Sequence, residues 1–280
     1  MIRAIREHWP EYLCEAIELG LFMISAGLFT ILLWHPRSPL IGVIPDSFVR
    51  RLLTGAAMGL TAIALVFSPL GKRSGAHFNP AVTLVFWRLG KVKTWDAFFY
   101  ILAQFFGGIL GLSAVALFLR DALADPAVKF VATLPGPNGQ GIAFLAEFLI
   151  AFVLMSVVLR VSNTPRLSRF TGLFAGTLVA AYITFESPLS GMSMNPARTF
   201  GSALVGDLWN GLWIYFTAPV LAMQLAATLY QRGHGIAYCA KYHHHNKQRC
   251  IFNCRFPDLL ERERAGNQTL SNVHETSSVI

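Results

Sequence analysis

The chain has 280 residues, of which 54% are hydrophobic and only 14% charged, and its mean hydropathy is +0.50. A soluble domain carries roughly a quarter charged residues, so most of this surface cannot face water. The formal net charge of +8 invites a nucleic-acid partner, but the placement of the charges argues against one. Arg3, Arg6, Lys72, Arg73, Arg88, Lys91, Lys93, Arg160 and the basic residues of the C-terminal tail fall on one side of the apolar runs. Arg37, Arg50, Arg51, Arg120 and Lys129 fall on the other. That asymmetry follows the positive-inside rule, puts both termini in the cytoplasm and requires an even number of spans.

Six stretches are long enough to cross about 30 Å of hydrocarbon as helices. The first begins near Tyr12 and is closed by Pro36 and Pro39. It is too long for a cleavable signal and lacks a small-residue cleavage site, so it reads as a retained span. The others begin near Phe48, Trp95, Ile142, Ser168 and Leu208, with Thr164-Pro165 separating the fourth from the fifth. Tryptophans at 9, 34, 95, 209 and 213 sit near span ends, where amphipathic rings favour the headgroup layer. The Pro- and Gly-rich segment 126–141 reads as an outer connection. After Tyr230 the apolar pattern stops.

Two shorter apolar stretches remain, residues 80–87 and 196–205, each ending near a glycine, Gly90 or Gly206. About ten helical residues at 1.5 Å each span only half a membrane, so these are half-helices. The chain also repeats itself. Thr54-Gly55 with Gly59 matches Thr171-Gly172 with Gly176, and Ser68-Pro69-Leu70 matches Ser187-Pro188-Leu189. Ser74-Gly75 and Ser190-Gly191 precede the two half-helices, and one glutamate, Glu15 or Glu147, lies early in each half. Three spans per half give the halves opposite topology, the inverted-repeat plan.

Each half-helix opens on Asn-Pro-Ala: Asn79-Pro80-Ala81 and Asn195-Pro196-Ala197. Proline at the first helical position sacrifices no hydrogen bond, and asparagine before it is a good cap. The cap uses the side-chain oxygen and leaves the NH2 group to donate into a passage. Two helix N-termini meeting at mid-membrane carry partial positive charge, which admits neutral solutes and opposes cations and protons. The irregular backbone before each motif belongs in a membrane only if it is buried in protein or lines a wet cavity. Gly75, Ala76, His77, Gly191 and Ser193 are therefore expected to supply a file of carbonyl acceptors.

Residues 74–83 and 194–201 resemble the paired signatures of the aquaporin, or major intrinsic protein, family, and the similarity covers roughly residues 12–230. The resemblance implies an all-α bundle of six transmembrane helices plus two re-entrant half-helices, one pore per protomer, and a homotetramer in the lipid bilayer of a cell (plasma or inner) membrane. It implies neither enzyme chemistry nor a cofactor. It places Arg198 at the outer constriction, with Ile183, Met192 and either Met58 or Gly59 around it. Ile183 stands where many water channels resemble one another in having histidine. Thr199 stands where glycerol-conducting relatives tend to have aspartate, and Ala203, Tyr215 and Phe216 also resemble the water-channel set. Water is the favoured permeant. Glycerol, urea, ammonia and hydrogen peroxide stand as alternatives, and a proton-coupled transporter or a closed structural protein as readings from other classes.

Glu15, Glu18 and Glu147 would suit a proton relay, but Glu15 and Glu147, one per half, favour acceptors for the non-helical backbone, with Gln104 assisting. His77 reads as a brace or a pH sensor. The organisation is a cytoplasmic N-terminus (1–10), a channel domain (11–231, with repeats over about 11–120 and 142–231) and a polar cytoplasmic tail (232–280). In that tail Cys239, His243, Cys250 and Cys254 are a candidate zinc set, beside the metal-free reading of a basic juxtamembrane segment.

Overall fold

The computed structural model describes residues 1–261 and 264. In chain order the helices are α1 (Ile2–Trp34), α2 (Pro39–Val43), α3 (Ser47–Phe67), α4 (Pro69–Ser74), α5 (Pro80–Arg88) and α6 (Thr94–Ala124). They are followed by α7 (Gly139–Ser162), α8 (Thr171–Phe185), α9 (Ser187–Ser190), α10 (Pro196–Gly206) and α11 (Leu212–His234). Among the described residues α1, α3, α6, α7 and α11 are long and apolar enough to cross a membrane. The fifth expected span is shorter than the other five: α8 has 15 residues, about 22 Å of helix. A 3-10 turn at Ser168–Phe170 precedes it and α9 follows it, so the crossing is assembled from three pieces.

The helices pack in pairs that reflect the repeat. In α3 and α8, Gly59 and Gly176 face each other: a Cβ on Gly59 would lie 2.6 Å from the Gly176 carbonyl, and one on Gly176 2.7 Å from the Gly59 carbonyl. The matched Thr-Gly-x3-Gly segments are thus the place where the two halves cross. On α6, a Cβ on Gly107 would lie 2.1 Å from the Ala16 carbonyl of α1. Small residues permit this backbone contact, which is how helices associate where lipid removes the hydrophobic drive between them. The outward face carries large apolar side chains, Leu60, Leu110, Leu117 and Phe118 among them, a surface suited to bilayer contact.

The half-helices α5 and α10 enter from opposite ends and both begin at the centre. Gly90 follows α5 at φ +69°. After α10 the left-handed residue is Asp207 (φ +53°), not Gly206, which instead packs on the ring of Phe130. The segment 126–141, between α6 and α7, dips inward, with Phe130 and Val131 buried and the Thr133 hydroxyl 2.7 Å from that of Thr199 on α10. At the opposite end the tail packs onto the bundle. Ala237, Tyr238, Cys239, Ala240, Tyr242 and Phe252 join the same apolar core as Val66, Phe86 and Tyr100. The remainder of the tail, residues 262, 263 and 265–280, lies outside the described residues.

Candidate functional site

Asn79 caps α5, its Oδ1 accepting from the Ala81 N–H at 2.9 Å, and Pro80 opens the helix. Asn195 caps α10 in the same way, accepting from Ala197 at 3.1 Å and Arg198 at 3.2 Å, with Pro196 next. Ala81 and Ala197 are fully buried, so the starts sit in the protein interior. The side-chain amides are not wholly free. Asn79 Nδ2 donates to the Met194 carbonyl at 2.8 Å, and Asn195 Nδ2 donates to the Phe78 carbonyl at 2.7 Å. Each asparagine therefore spends one N–H locking the opposite loop and keeps its second for a solute.

The loops before the motifs share one strained conformation. Gly75 (φ +103°), Ala76 (+60°) and Phe78 (+29°) in the first correspond to Gly191 (+80°), Met192 (+56°) and Met194 (+54°) in the second. Left-handed backbone costs a residue with a Cβ about 1–2 kcal/mol, so the surroundings must hold it. Glu15 does so in the first half: its two oxygens accept from the His77 N–H at 3.0 Å and the Phe78 N–H at 2.7 Å, and Gln104 Nε2 donates to it at 2.6 Å. Glu147 repeats the clamp, accepting from the Ser193 N–H and the Met194 N–H, each at 2.7 Å. The preceding serines complete the motif. Ser74 Oγ accepts from Ala76 N–H and donates to Glu18, while Ser190 Oγ accepts from Met192 N–H and lies between Glu147 and Glu186. Tyr100 and Tyr215 donate to the Ser74 and Ser190 carbonyls. The glutamates are engaged on both oxygens by backbone, which is the bracing arrangement. Sequence reasoning missed Tyr100 as a partner of this clamp, and it used Tyr215 only as a family marker.

A cavity of about 380 Å³ passes between the halves. Asn79, Asn195, Arg198, Ile183, Met192 and Met58 all line it. Gly59 does not: it is turned into the α3–α8 crossing, which decides the register in favour of Met58. Arg198 Nη1 is buried without a hydrogen-bond partner, a guanidinium donor standing on the cavity wall.

The expected file of carbonyls is shorter than the sequence suggested. His77, Gly191 and Ser193 lie on the cavity, and among the described residues their carbonyls accept no protein hydrogen bond. Gly75 and Ala76 do not line it, and the Gly75 carbonyl is taken by the Tyr242 N–H at 3.1 Å. His77 is a brace. Its Nε2 donates to the Ala240 carbonyl at 2.8 Å, its Nδ1 lies 3.1 Å from the Thr83 hydroxyl, and its ring is stacked by Phe86 and Phe252. Val131 and Ala132 of the 126–141 segment and Tyr242 of the tail also line the cavity, and none was anticipated.

Within the tail the metal-ligating atoms that converge are those of Cys239, His244, Cys250 and Cys254. His243, the histidine expected there, is instead packed edge-on against Phe67 of α3 at 4.8 Å, and His245 lies 3.0 Å from the Ser168 hydroxyl. Near these atoms burial holds the ammonium groups of Lys91 and Lys241 below the usual lysine range, against the opposing pull of the cysteine sulfurs.

The chain matches the family model described as Major intrinsic protein over residues 4–230. Aquaporin NIP1-2 of Arabidopsis thaliana is 38% identical over 177 residues, covering 61% of this chain and 59% of that protein. A probable aquaporin, AqpM, of Archaeoglobus fulgidus is 40% identical over 187 residues, covering 63% and 74%. The chain thus spans about three fifths of the length of the Arabidopsis relative. The X-ray structure of the aquaglyceroporin from Plasmodium falciparum superposes with a TM-score of 0.65 at 20% identity, covering 81% of this chain and 97% of that one, a likeness of fold. With the paired Asn-Pro-Ala starts, the two glutamate clamps and the family match across most of its length, this chain belongs to the major intrinsic protein family.

Proposed function

We propose that the protein is a passive membrane channel for water, with both termini in the cytoplasm of a cell membrane and four protomers per assembly. One observation carries the channel reading. The two asparagine-capped helix starts face each other across one cavity, each tied to the opposite loop, at 2.8 and 2.7 Å. Their remaining N–H groups, the helix dipoles and the Arg198 guanidinium present donors and positive potential along the path, while loop carbonyls present acceptors. Such a lining passes neutral hydrogen-bonding molecules in file and opposes cations and protons. No conformational cycle is needed. Glu15 and Glu147 are engaged on both oxygens as braces, which speaks against their use in a proton-coupled transporter, whereas Glu18 and Glu186 each keep one buried oxygen without a partner.

Water is the favoured permeant because Thr199 stands where glycerol-conducting relatives tend to have aspartate, and Ala203, Tyr215 and Phe216 resemble the water-channel set. A second reading, glycerol, draws on Met58, Ile183 and Met192, which line the cavity with Arg198. Isoleucine at 183 brings no donor to the cavity lining that Arg198 shares, and apolar side chains beside a donor suit a polyol carbon chain with hydroxyls on one side. Methionine is flexible enough to admit either. Stopped-flow light scattering on vesicles carrying the protein, under water and then glycerol gradients, separates them. The water reading expects fast shrinkage with glycerol entry near that of empty vesicles. Fast glycerol entry replaces it with the second reading, and no gain in either flux, before or after treatment with a chelator, ends the channel proposal.

A further inference from the structure

The four converging atoms of the tail, Cys239 Sγ, His244 Nε2, Cys250 Sγ and Cys254 Sγ, all lie within 4.8 Å of one another. Cys239 and Cys250 sulfurs are 3.6 Å apart, and Cys254 Sγ is 3.0 Å from His244 Nε2. A disulfide would bring two sulfurs to about 2.05 Å. Two thiolates on one tetrahedral zinc, with bonds of about 2.3 Å, stand about 3.8 Å apart. The observed spacing is that of ligands around a common centre. Three sulfurs and an imidazole are a soft set that selects zinc over magnesium or calcium.

The surroundings fit the same purpose. The Phe256 N–H donates to Cys254 Sγ at 3.4 Å, and the Phe256 ring stacks on His244 at 4.3 Å, fixing the imidazole plane. Such outer contacts orient metal ligands. Three thiolates around one divalent ion leave a net charge of −1, and the buried Lys91 and Lys241 place ammonium groups in the same tail–channel contact, donating to the Asn253 and Arg249 carbonyls that flank the ligands in sequence.

We propose that Cys239, His244, Cys250 and Cys254 bind one zinc ion that clamps the tail as a cap across the cytoplasmic mouth of the cavity. Binding replaces the three thiol protons, which are released to solvent. The cap is tied to the channel at several points. The Tyr242 N–H donates to the Gly75 carbonyl, His77 Nε2 to the Ala240 carbonyl, and the Asn253 N–H to the Lys91 carbonyl at 2.9 Å. The Tyr238 N–H donates to Asn163 Oδ1 at 2.6 Å, at the end of α7. Tyr242, lying between the first two ligands in sequence, forms part of the cavity wall. The ion thereby cross-links the segment that places a tyrosine at the mouth. The flux consequence rests on the channel reading; the metal site does not.

The metal content of the purified full chain, measured by mass spectrometry, should be one zinc per chain. Replacement by cobalt should give the intense visible bands of tetrahedral thiolate coordination. His244→Ala and Cys250→Ser should weaken zinc affinity about tenfold or more, while His243→Ala should leave it unchanged. Zinc-free protein that also fails to bind cobalt overturns the site, as does equal loss of affinity in His243→Ala and His244→Ala. In vesicles, chelation or Cys250→Ser should raise water permeability about twofold or more by freeing a single-file mouth. Bound zinc with a flux above that of empty vesicles that chelation leaves unchanged overturns the cap. Bound zinc in a protein that conducts in neither state upholds the site and sinks the channel reading instead.

Discussion

Replacing Glu147 by glutamine probes the clamp that holds the second half-helix in place. The carboxylate accepts from the Ser193 and Met194 N–H groups through different oxygens, each at 2.7 Å. An amide offers one acceptor, so one of these buried N–H groups would face an NH2 group. An orphaned buried donor costs about 1–3 kcal/mol. The surviving bond changes from charge-assisted to neutral, which halves it and removes about 1 kcal/mol more. The sum is about 2–4 kcal/mol, and it falls on the left-handed backbone at Met192 and Met194. At roughly 2–4 °C per kcal/mol for a chain of this size, the melting temperature in detergent should fall by at least several degrees. Water flux should fall with it, because Asn195 is positioned by the same loop. Glu15→Gln should act alike in the first half. A variant that melts and conducts like the parent would refute the clamp. Loss of a proton-driven flux with stability intact would point to the relay reading instead.

Three further outcomes follow from the geometry. Arg198→Ala removes the unpartnered guanidinium from the wall, so urea and proton leak through the vesicles should rise while water flux persists; unchanged selectivity would remove Arg198 from the filter. Met192→Cys puts a thiol on the cavity wall and should make water flux sensitive to mercurials beyond any effect of the tail cysteines in the parent. Equal sensitivity in parent and variant would place Met192 away from the path. Gly107→Val forces a side chain against the Ala16 carbonyl, 2.1 Å from its Cβ position. Overpacking of this kind costs about 1–3 kcal/mol or more, and an unaltered melting temperature would contradict the close α1–α6 contact.

What could be read from the residues was whatever repeats or caps. The Asn-Pro starts, the matched Thr-Gly-x3-Gly segments and the one glutamate per half each carry a local rule that tertiary context did not override. Registers within a helix were harder. Met58 and Gly59 differ by one position, which is a rotation of about 100°, and only the α3–α8 crossing decides which one faces the cavity. The tail was harder again, because three consecutive histidines in a loop have no periodicity to assign their directions. His243, His244 and His245 go to Phe67, the cysteine cluster and Ser168 respectively. The loss of the Gly75 carbonyl from the acceptor file has the same origin, since its partner Tyr242 lies far along the chain. The left-handed run at Lys129, Phe130 and Val131 breaks the preference of β-branched and bulky residues, so no local signal announced that the 126–141 segment would form part of the cavity wall.

The central claim is that two asparagine-capped half-helices form a path for neutral molecules and a barrier to charge. It is tested most directly by osmotic water flux and proton leak measured on the same vesicles across a range of temperatures, with the tail metal in place and after chelation. The account predicts fast water flux with a shallow temperature dependence, and a proton leak no greater than that of empty vesicles, in at least the chelated state. Water flux equal to that of empty vesicles in both states, or a proton leak that rises with the water flux, would contradict it.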